Sequence, residues 1–256
     1  MGESIRSFGL LRFYGGVLTL LFGFSATVEA QWEKKPYIEW SDKEAQKVLN
    51  ESPWGKTQTF VENTVLTGST RPNSGQNTFN STFQVNFRIR LFSGKPIRQA
   101  FSRVLELQQK GNVGEAMAAQ LKSFANGEFL EYIIVTVTCD SEQSGEPLHA
   151  AQTALEKRTT AELKSNTYLE VAGQRVYLQE FQAPKKDPFG ARFIFPRLVG
   201  NEPFITSKTS EVRFVSELPR SVAPVGGTAP NPAQNTYRLN MIFKVSAMNF
   251  LGKLEY

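Results

Sequence analysis

One stretch of this sequence, Thr82 to Leu107, constrains the fold more than any other. Its first half alternates strictly, with polar residues between five apolar ones: Phe83, Val85, Phe87, Ile89 and Leu91. Strict alternation is typical of a strand that buries one face. After a break at Ser93-Gly94-Lys95, Pro96 stands where the first turn of a helix tolerates proline. The residues that follow form one apolar helical face: Ile97, Phe101, Val104 and Leu105. The stretch therefore predicts a strand that leads directly into an amphipathic helix.

Other segments predict antiparallel neighbours for this strand. The run from Phe129 to Val137 is rich in β-branched and aromatic residues and has little polarity, so we place it at the centre of a sheet. Tyr168–Val171 and Arg175–Phe181 flank Ala172-Gly173-Gln174, a pattern typical of a hairpin. Tyr237–Val245 alternates again. Because hairpin patterns dominate, the predicted fold class is α+β: an antiparallel β-sheet or sandwich with several short helices packed on one side.

Two more helices are predicted from the residues at their ends. Ser41 is followed three residues later by Glu44, which is the pattern of a capping box, and Ser52-Pro53 ends the helix that it opens. Pro147 opens a longer polar helix that we expect to reach about Asn166 and to lie on the surface.

Trp40 and Trp54 bracket the capped helix, and each lies next to a break in the pattern. Both indoles can therefore fold onto the same side of the protein. The simpler interpretation is a helix that two tryptophans fix to the core. The alternative is an aromatic pair on which a sugar stacks.

The N-terminal residues 1–30 have the pattern of a secretory signal peptide. Arg6 and Arg12 precede and enter an apolar run that closes with Val28-Glu29-Ala30, a variant of the usual cleavage pattern. The alternative is a membrane anchor, but the uninterrupted apolar run is shorter than the roughly 20 residues that a spanning helix needs. We therefore expect residues 31–256 to be a single exported domain, periplasmic or extracellular, with no transmembrane segment after cleavage. Cys139 is the only cysteine, so no disulfide can form within the chain.

Three segments carry a resemblance to known sequences. The pattern W-S-x-x-x-A-x-x-x-L-x-x-S-P-W-x-K runs from Trp40 to Lys56, and R-x-x-S-x-x-x-x-R-x-A runs from Arg90 to Ala100. Together with the last segment, from Phe243 to Glu255, they resemble a family of uncharacterised, predicted exported bacterial proteins. Phe92 departs from that family, which has its aromatic residue one place earlier. The resemblance implies export and a single domain, and it implies no activity.

Few residues are available for metal or nucleophilic chemistry. With one histidine and one cysteine, the chain lacks the ligands of a usual transition-metal site, and we expect no metal and no cofactor. A calcium loop from Asp140, Glu142 and Glu146 is an alternative, although it lacks the spacing of an EF-hand. Cys139 and His149 are the one nucleophile–base pair that the cysteine and histidine content allows, with Asp140 to orient the imidazole.

Basic residues offer the one ligand surface that spacing alone predicts. Arg88 and Arg90 share the polar face of the predicted strand, and Arg98 approaches them through the turn. With Trp40 and Trp54 they are the candidate ligand-binding residues. The net charge is +5, which permits contact with anionic polymers, although an exported protein is a poor match for nucleic acid. The alternative is a strand face that is simply solvated by its arginines.

These observations predict a non-enzymatic, exported, envelope-associated protein. Its expected role is a protein-interaction or structural module, with an envelope protein or an anionic glycan as the partner. A carbohydrate- or polyanion-binding domain is the alternative. A hydrolase is a further alternative, because the distance between two catalytic carboxylates is not encoded in sequence spacing.

Overall fold

The computed structural model describes residues 31–68, 77–109, 112–220 and 235–256, which form two larger antiparallel sheets, two two-stranded antiparallel sheets and a set of helices. The helices are α1 (Asp42–Asn50), α2 (Lys95–Gln108), α3 (Glu115–Asn126), α4 (Glu146–Glu156) and α5 (Thr160–Leu163). The longer strands are β1 (Gly55–Gly68), β2 (Asn77–Leu91), β3 (Tyr132–Asp140), β7 (Ala191–Pro196), β10 (Glu211–Pro219) and β11 (Thr236–Lys244). The shorter ones are β4 (Tyr168–Val171), β5 (Gln174–Tyr177), β6 (Glu180–Gln182), β8 (Leu198–Val199), β9 (Glu202–Pro203), β12 (Asn249–Phe250) and β13 (Lys253–Leu254). The predicted α+β class is confirmed.

The larger sheet has the strand order β1-β2-β3-β7-β6, and every pair in it is antiparallel. Strand β3 is its central strand, as its low polarity predicted, and the five residues from Ile133 to Val137 are buried. The smaller sheet has the order β11-β10-β4-β5. Both sheets contribute to one cluster of buried apolar residues.

Strand β2 and helix α2 realise the predicted strand-to-helix unit. The alternate residues Val85, Phe87, Ile89 and Leu91 are fully buried, and the Phe87 ring lies 5.0 Å from that of Tyr237 on β11. Phe193 on β7 likewise lies 5.3 Å from Phe214 on β10. One face of the larger sheet therefore packs on the smaller sheet as a sandwich. Helices α1 and α2 pack on each other, and α1 contacts β1 and β2.

The predicted capping box opens helix α1. Ser41 Oγ accepts a hydrogen bond from the Glu44 N–H, and the Glu44 carboxylate accepts one from the Ser41 N–H at 2.8 Å. The helix buries Ala45, Val48 and Leu49 against the core. Helix α1 is therefore fixed by its cap at one end and by packing along its length.

The single helix predicted from Pro147 to Asn166 is wrong. The chain forms α4 and then α5, because Thr159 and Glu162 make a second capping box that starts a new helix. Helix α4 is also less exposed than expected, since its small residues let it approach the core closely. Its buried residues include Ala150, Ala151, Ala154 and Leu155.

The predicted hairpin is present as β4 and β5. Its turn consists of Ala172 and Gly173, with φ of 48° and 83°, so it is one residue shorter than expected. Two positive φ angles match the right-handed twist of the flanking strands, and glycine adopts this conformation without strain.

The predicted signal peptide, residues 1–30, lies outside the described residues, so its cleavage stays a prediction. Within the described ranges, every helix is too short or too polar to cross a bilayer.

Glu44 gives the fold an acid-sensitive contact. Hydrogen bonds from Lys35 and Ser41 lower the pKa of Glu44 from 4.5 to about 2. Since the pKa is lowered in the folded state, the contact stabilises the protein above pH 4.5 and is lost as the pH falls towards 2. We expect Glu44→Gln, which preserves the capping-box pattern, to reduce the decrease in unfolding free energy between pH 4.5 and pH 2. Urea unfolding across this range measures it, and identical pH profiles for the two proteins would contradict the assignment.

A candidate anion-binding cleft

Trp40 and Trp54 are structural residues. Both are fully buried, and Trp32 lies between them, with ring centroids 5.3 Å and 6.3 Å away. The Trp40 Nε1–H donates to the Trp32 carbonyl at 2.8 Å, and the Trp54 Nε1–H donates to the Glu255 carbonyl at 2.6 Å. The prediction that they fix the helix to the core is confirmed. The sugar-stacking alternative is wrong, because neither ring has a face open to a ligand.

Arg90 does not lie on an exposed strand face. Its side chain is 6% exposed, and helix α1 covers the end of the strand there. The guanidinium donates to the Leu49 carbonyl at 3.0 Å, to Asn50 Oδ1 at 2.8 Å and to Thr138 Oγ1 at 3.0 Å. Burial and, to a smaller extent, the charge of the neighbouring Arg88 lower the pKa of Arg90 to about 10. The predicted basic face is therefore wrong for Arg90, which ties α1 to β2 and β3.

The Arg88 side chain is more accessible to solvent, but its guanidinium already forms an ion pair with a carboxylate. Its Nε donates to Asp140 at 2.7 Å, and Nη1 donates to Thr57 Oγ1 at 3.2 Å. Asp140 is the first of the proposed calcium ligands, and it also accepts a hydrogen bond from Asn86. Across the described ranges, His, Cys, Asp and Glu form no group of three that could hold a metal ion.

Arg98 holds together the connection between β2, α2 and α3. It is 1% exposed, and it donates to the carbonyls of Ser93, Phe124 and Gly127, with the guanidinium 4.7 Å from the centre of the Phe129 ring. Two of these carbonyls belong to the end of α3, where a cation is favoured by the helix dipole. Burial lowers the pKa of Arg98 to about 10. Arg98 therefore has different hydrogen-bond partners from Arg88 and Arg90, and these partners give it an architectural role.

The structure does not support Cys139 as an activated nucleophile, which the Cys139–His149 hypothesis requires. Burial, followed by the Asp140 charge, raises the pKa of the Cys139 thiol to about 12, so the thiol is neutral at physiological pH. Asp140, which the hypothesis needs to orient the imidazole, pairs with Arg88 instead.

A cleft of about 360 Å³ lies beside Arg98. Its residues come from the start of α2, from the segment between α3 and β3, and from the residue after β7. The hairpin of β12 and β13 and the residues that follow it complete the lining. Its lining residues are Ser93, Lys95, Arg98, Asn126, Gly127, Glu128, Phe129, Leu130, Arg197, Phe250, Leu251, Lys253, Leu254, Glu255 and Tyr256. Sequence spacing missed this site, because its basic residues are separated by up to about 160 positions in the chain.

Arg197 forms one wall of the cleft in a fixed orientation. Its Nη1 donates to the carbonyls of Phe129 at 3.0 Å and of Tyr256 at 2.8 Å. The guanidinium lies 3.9 Å from the centre of the Tyr256 ring, whose hydroxyl donates to the Ile205 carbonyl at 2.6 Å. A guanidinium held by two carbonyls and an aromatic ring is preorganised.

The cleft has an excess of positive charge. Lys95, Arg98, Arg197 and Lys253 line it, against the two carboxylates of Glu128 and Glu255. Within the described part of the chain, neither Lys95 nor Lys253 forms an ion pair at 4.0 Å or less. Several other arginines do pair with a carboxylate: Arg88, Arg103, Arg158, Arg175, Arg192, Arg220 and Arg238. The side chains of the cleft therefore give it a net positive charge, which attracts anions.

Exposed leucines border these charges. Leu130 is 68% exposed and Leu251 is 73% exposed, and both line the cleft. Leu198, which follows Arg197 directly, is 49% exposed. The cleft thus combines a basic lining with an apolar rim, an arrangement that favours an amphipathic anion.

Comparison with known proteins adds no assignment to this geometry. No protein-family model matches the chain, and no match was found among curated proteins or solved structures. The resemblance to exported bacterial proteins stays a prediction. The charges and shape of the cleft are therefore the basis on which a function can be proposed.

Proposed function

We propose that this protein is a non-enzymatic, exported, envelope-associated module that binds an anionic partner in the cleft beside Arg98. The observation that carries the proposal is the pair of lysines Lys95 and Lys253, one partly and one fully exposed, which line one concave site without ion pairs to described residues. The signal-peptide pattern of residues 1–30 supports export.

The location of the site differs from the strand face that spacing suggested. Arg90 and Arg98 are buried with several acceptors each, and Arg88 is neutralised by Asp140. A ligand that bound these residues would first have to break hydrogen bonds that stabilise the fold. Lys95 and Lys253 carry no such structural role, so their charge is available to a partner at little cost.

The cleft also has the size of a binding site. A volume of about 360 Å³ falls within the range of roughly 300–1,000 Å³ that is typical of ligand pockets. Its walls come from secondary-structure elements and from an arginine that is fixed by hydrogen bonds. A preorganised site of this kind loses little conformational entropy on binding.

Removing the two lysines tests the proposal. We expect Lys95→Ala with Lys253→Ala to weaken binding of a fluorescein-labelled hexaglutamate peptide about tenfold or more, the result of losing roughly 1.4 kcal/mol of attraction. Fluorescence anisotropy at low ionic strength measures the affinity. The matched control is Lys185→Ala with Lys186→Ala, which removes the same charge from an exposed loop. Equal losses in the two double variants would mean that net charge alone attracts the peptide, and the proposal would fail.

A further inference from the structure

We infer that the anionic partner is an acidic peptide segment of another protein, with an apolar side chain between its carboxylates, rather than an anionic glycan. This inference rests on the proposed function, since it names the partner of the same cleft. Three features of the cleft distinguish a peptide from a sugar polymer.

The first feature is that the cleft already holds a short acidic and apolar segment of this chain. The Glu255 carboxylate accepts a hydrogen bond from the Lys95 N–H at the start of α2, at 3.4 Å, and the Glu255 carbonyl accepts one from Trp54. Arg197 donates to the next carbonyl, that of Tyr256. Lys95 and Arg197, which both line the cleft, thus contact a carboxylate and a main-chain oxygen of this segment, and these are the acceptors that a peptide presents.

The second feature is the state of the aromatic rings. Sugar rings are usually bound by stacking on an exposed aromatic face, which covers their C–H groups. In this cleft the guanidinium of Arg98 covers Phe129, the guanidinium of Arg197 covers Tyr256, and Phe250 is buried. Of the described aromatic residues in the cleft, Phe250 and Tyr256 are buried and Phe129 is only partly exposed with a guanidinium over one face, which disfavours stacking of a sugar ring.

The third feature is the apolar rim. Leu130 and Leu251 line the cleft and are each more than two-thirds exposed. A polyanionic sugar has no apolar side chain to cover them, whereas a leucine or a similar residue between two acidic residues does. Burial of that side chain supplies hydrophobic stabilisation while the neighbouring carboxylates reach the lysines.

The cleft is also too small for a folded surface. About 360 Å³ accommodates a few side chains, so the partner contributes a segment rather than a domain face. The positive excess of the lining fits a segment with two or more carboxylates.

Three labelled probes test the inference on the full chain: Glu-Glu-Leu-Glu-Glu amide, Glu-Glu-Ser-Glu-Glu amide and tetragalacturonate, each with four carboxylates. We expect the leucine peptide to bind about tenfold more tightly than the serine peptide. Leu130→Ser with Leu251→Ser should abolish that difference and leave the serine peptide's affinity within about twofold. The control Ile38→Ser with Val61→Ser changes two exposed aliphatic residues elsewhere, at 55% and 60% exposure, and should preserve the difference.

The other outcomes would overturn either the peptide inference alone or the proposed anion-binding function as well. If tetragalacturonate binds more tightly than both peptides and depends on Lys95 and Lys253, the peptide inference fails and the anion-binding function stands. If no probe depends on those lysines, both fail. If sedimentation shows a dimer that Leu130→Ser with Leu251→Ser dissociates, a second copy of the chain occupies the rim and the inference is wrong.

Discussion

Replacing Arg98 with methionine is expected to lower the free energy of unfolding by about 3 kcal/mol and to lower the Tm. The substitution keeps much of the apolar stem but removes the donors to three main-chain carbonyls, those of Ser93, Phe124 and Gly127. A buried polar group that loses its partner costs roughly 1–3 kcal/mol. Urea unfolding followed by tryptophan fluorescence measures the change.

Arg88→Met is the matched control for this prediction. Arg88 pairs with Asp140 at a partly exposed position, where an ion pair typically contributes about 1 kcal/mol or less. We expect Arg88→Met to fold with nearly unchanged stability. A well-folded Arg98→Met variant that is as stable as Arg88→Met would contradict the architectural role of Arg98 and reopen its role in ligand binding.

Trp54→Ala is expected to lower the free energy of unfolding by about 3–5 kcal/mol, as for other large-to-small changes in a core. Trp54 is fully buried and packs edge-on against Trp32 and Phe250, and its N–H holds the Glu255 carbonyl. Trp54→Phe should cost less, because it retains most of the packing and loses the hydrogen bond. Thermal and urea unfolding of both variants measure the two costs.

The exposed Tyr177, on strand β5, provides the comparison for Trp54. It is 46% exposed, so Tyr177→Ala should cost about 1 kcal/mol or less. A Trp54→Ala variant that was as stable as Tyr177→Ala and that had lost affinity for a sugar would contradict this account. Trp54 would then be a binding residue rather than a core residue.

Local signals in the sequence predict much of the fold. The alternation of β2, the apolar run of β3 and the box of Ser41 and Glu44 each depend on residues within one element, so each is readable from spacing. The break between α4 and α5 was also readable, because Thr159 and Glu162 have the same spacing as Ser41 and Glu44. We instead predicted one long helix from Pro147 to about Asn166, and that prediction overlooked the start of α5.

The candidate site follows different rules. Alternation places Arg90 on the polar face of β2, but its burial depends on where α1 crosses the sheet, which is a tertiary contact. The cleft brings together Lys95, Arg197 and Lys253 through the packing of α2, β7 and the last hairpin. No local sequence pattern predicts that these three residues lie close together, because tertiary packing brings them to one site. The arginine that alternation places on the polar face of β2 stabilises the fold instead.

Partners are proposed to bind in the cleft, and the arginine-bearing strand β2 is proposed to be part of the scaffold. Amide hydrogen exchange with and without the peptide Glu-Glu-Leu-Glu-Glu amide tests this claim most directly. We predict added protection around Lys95, at residues 126–130 and at residues 250–254, with exchange across residues 84–90 unchanged. Protection across residues 84–90 without any change at the cleft would contradict the claim.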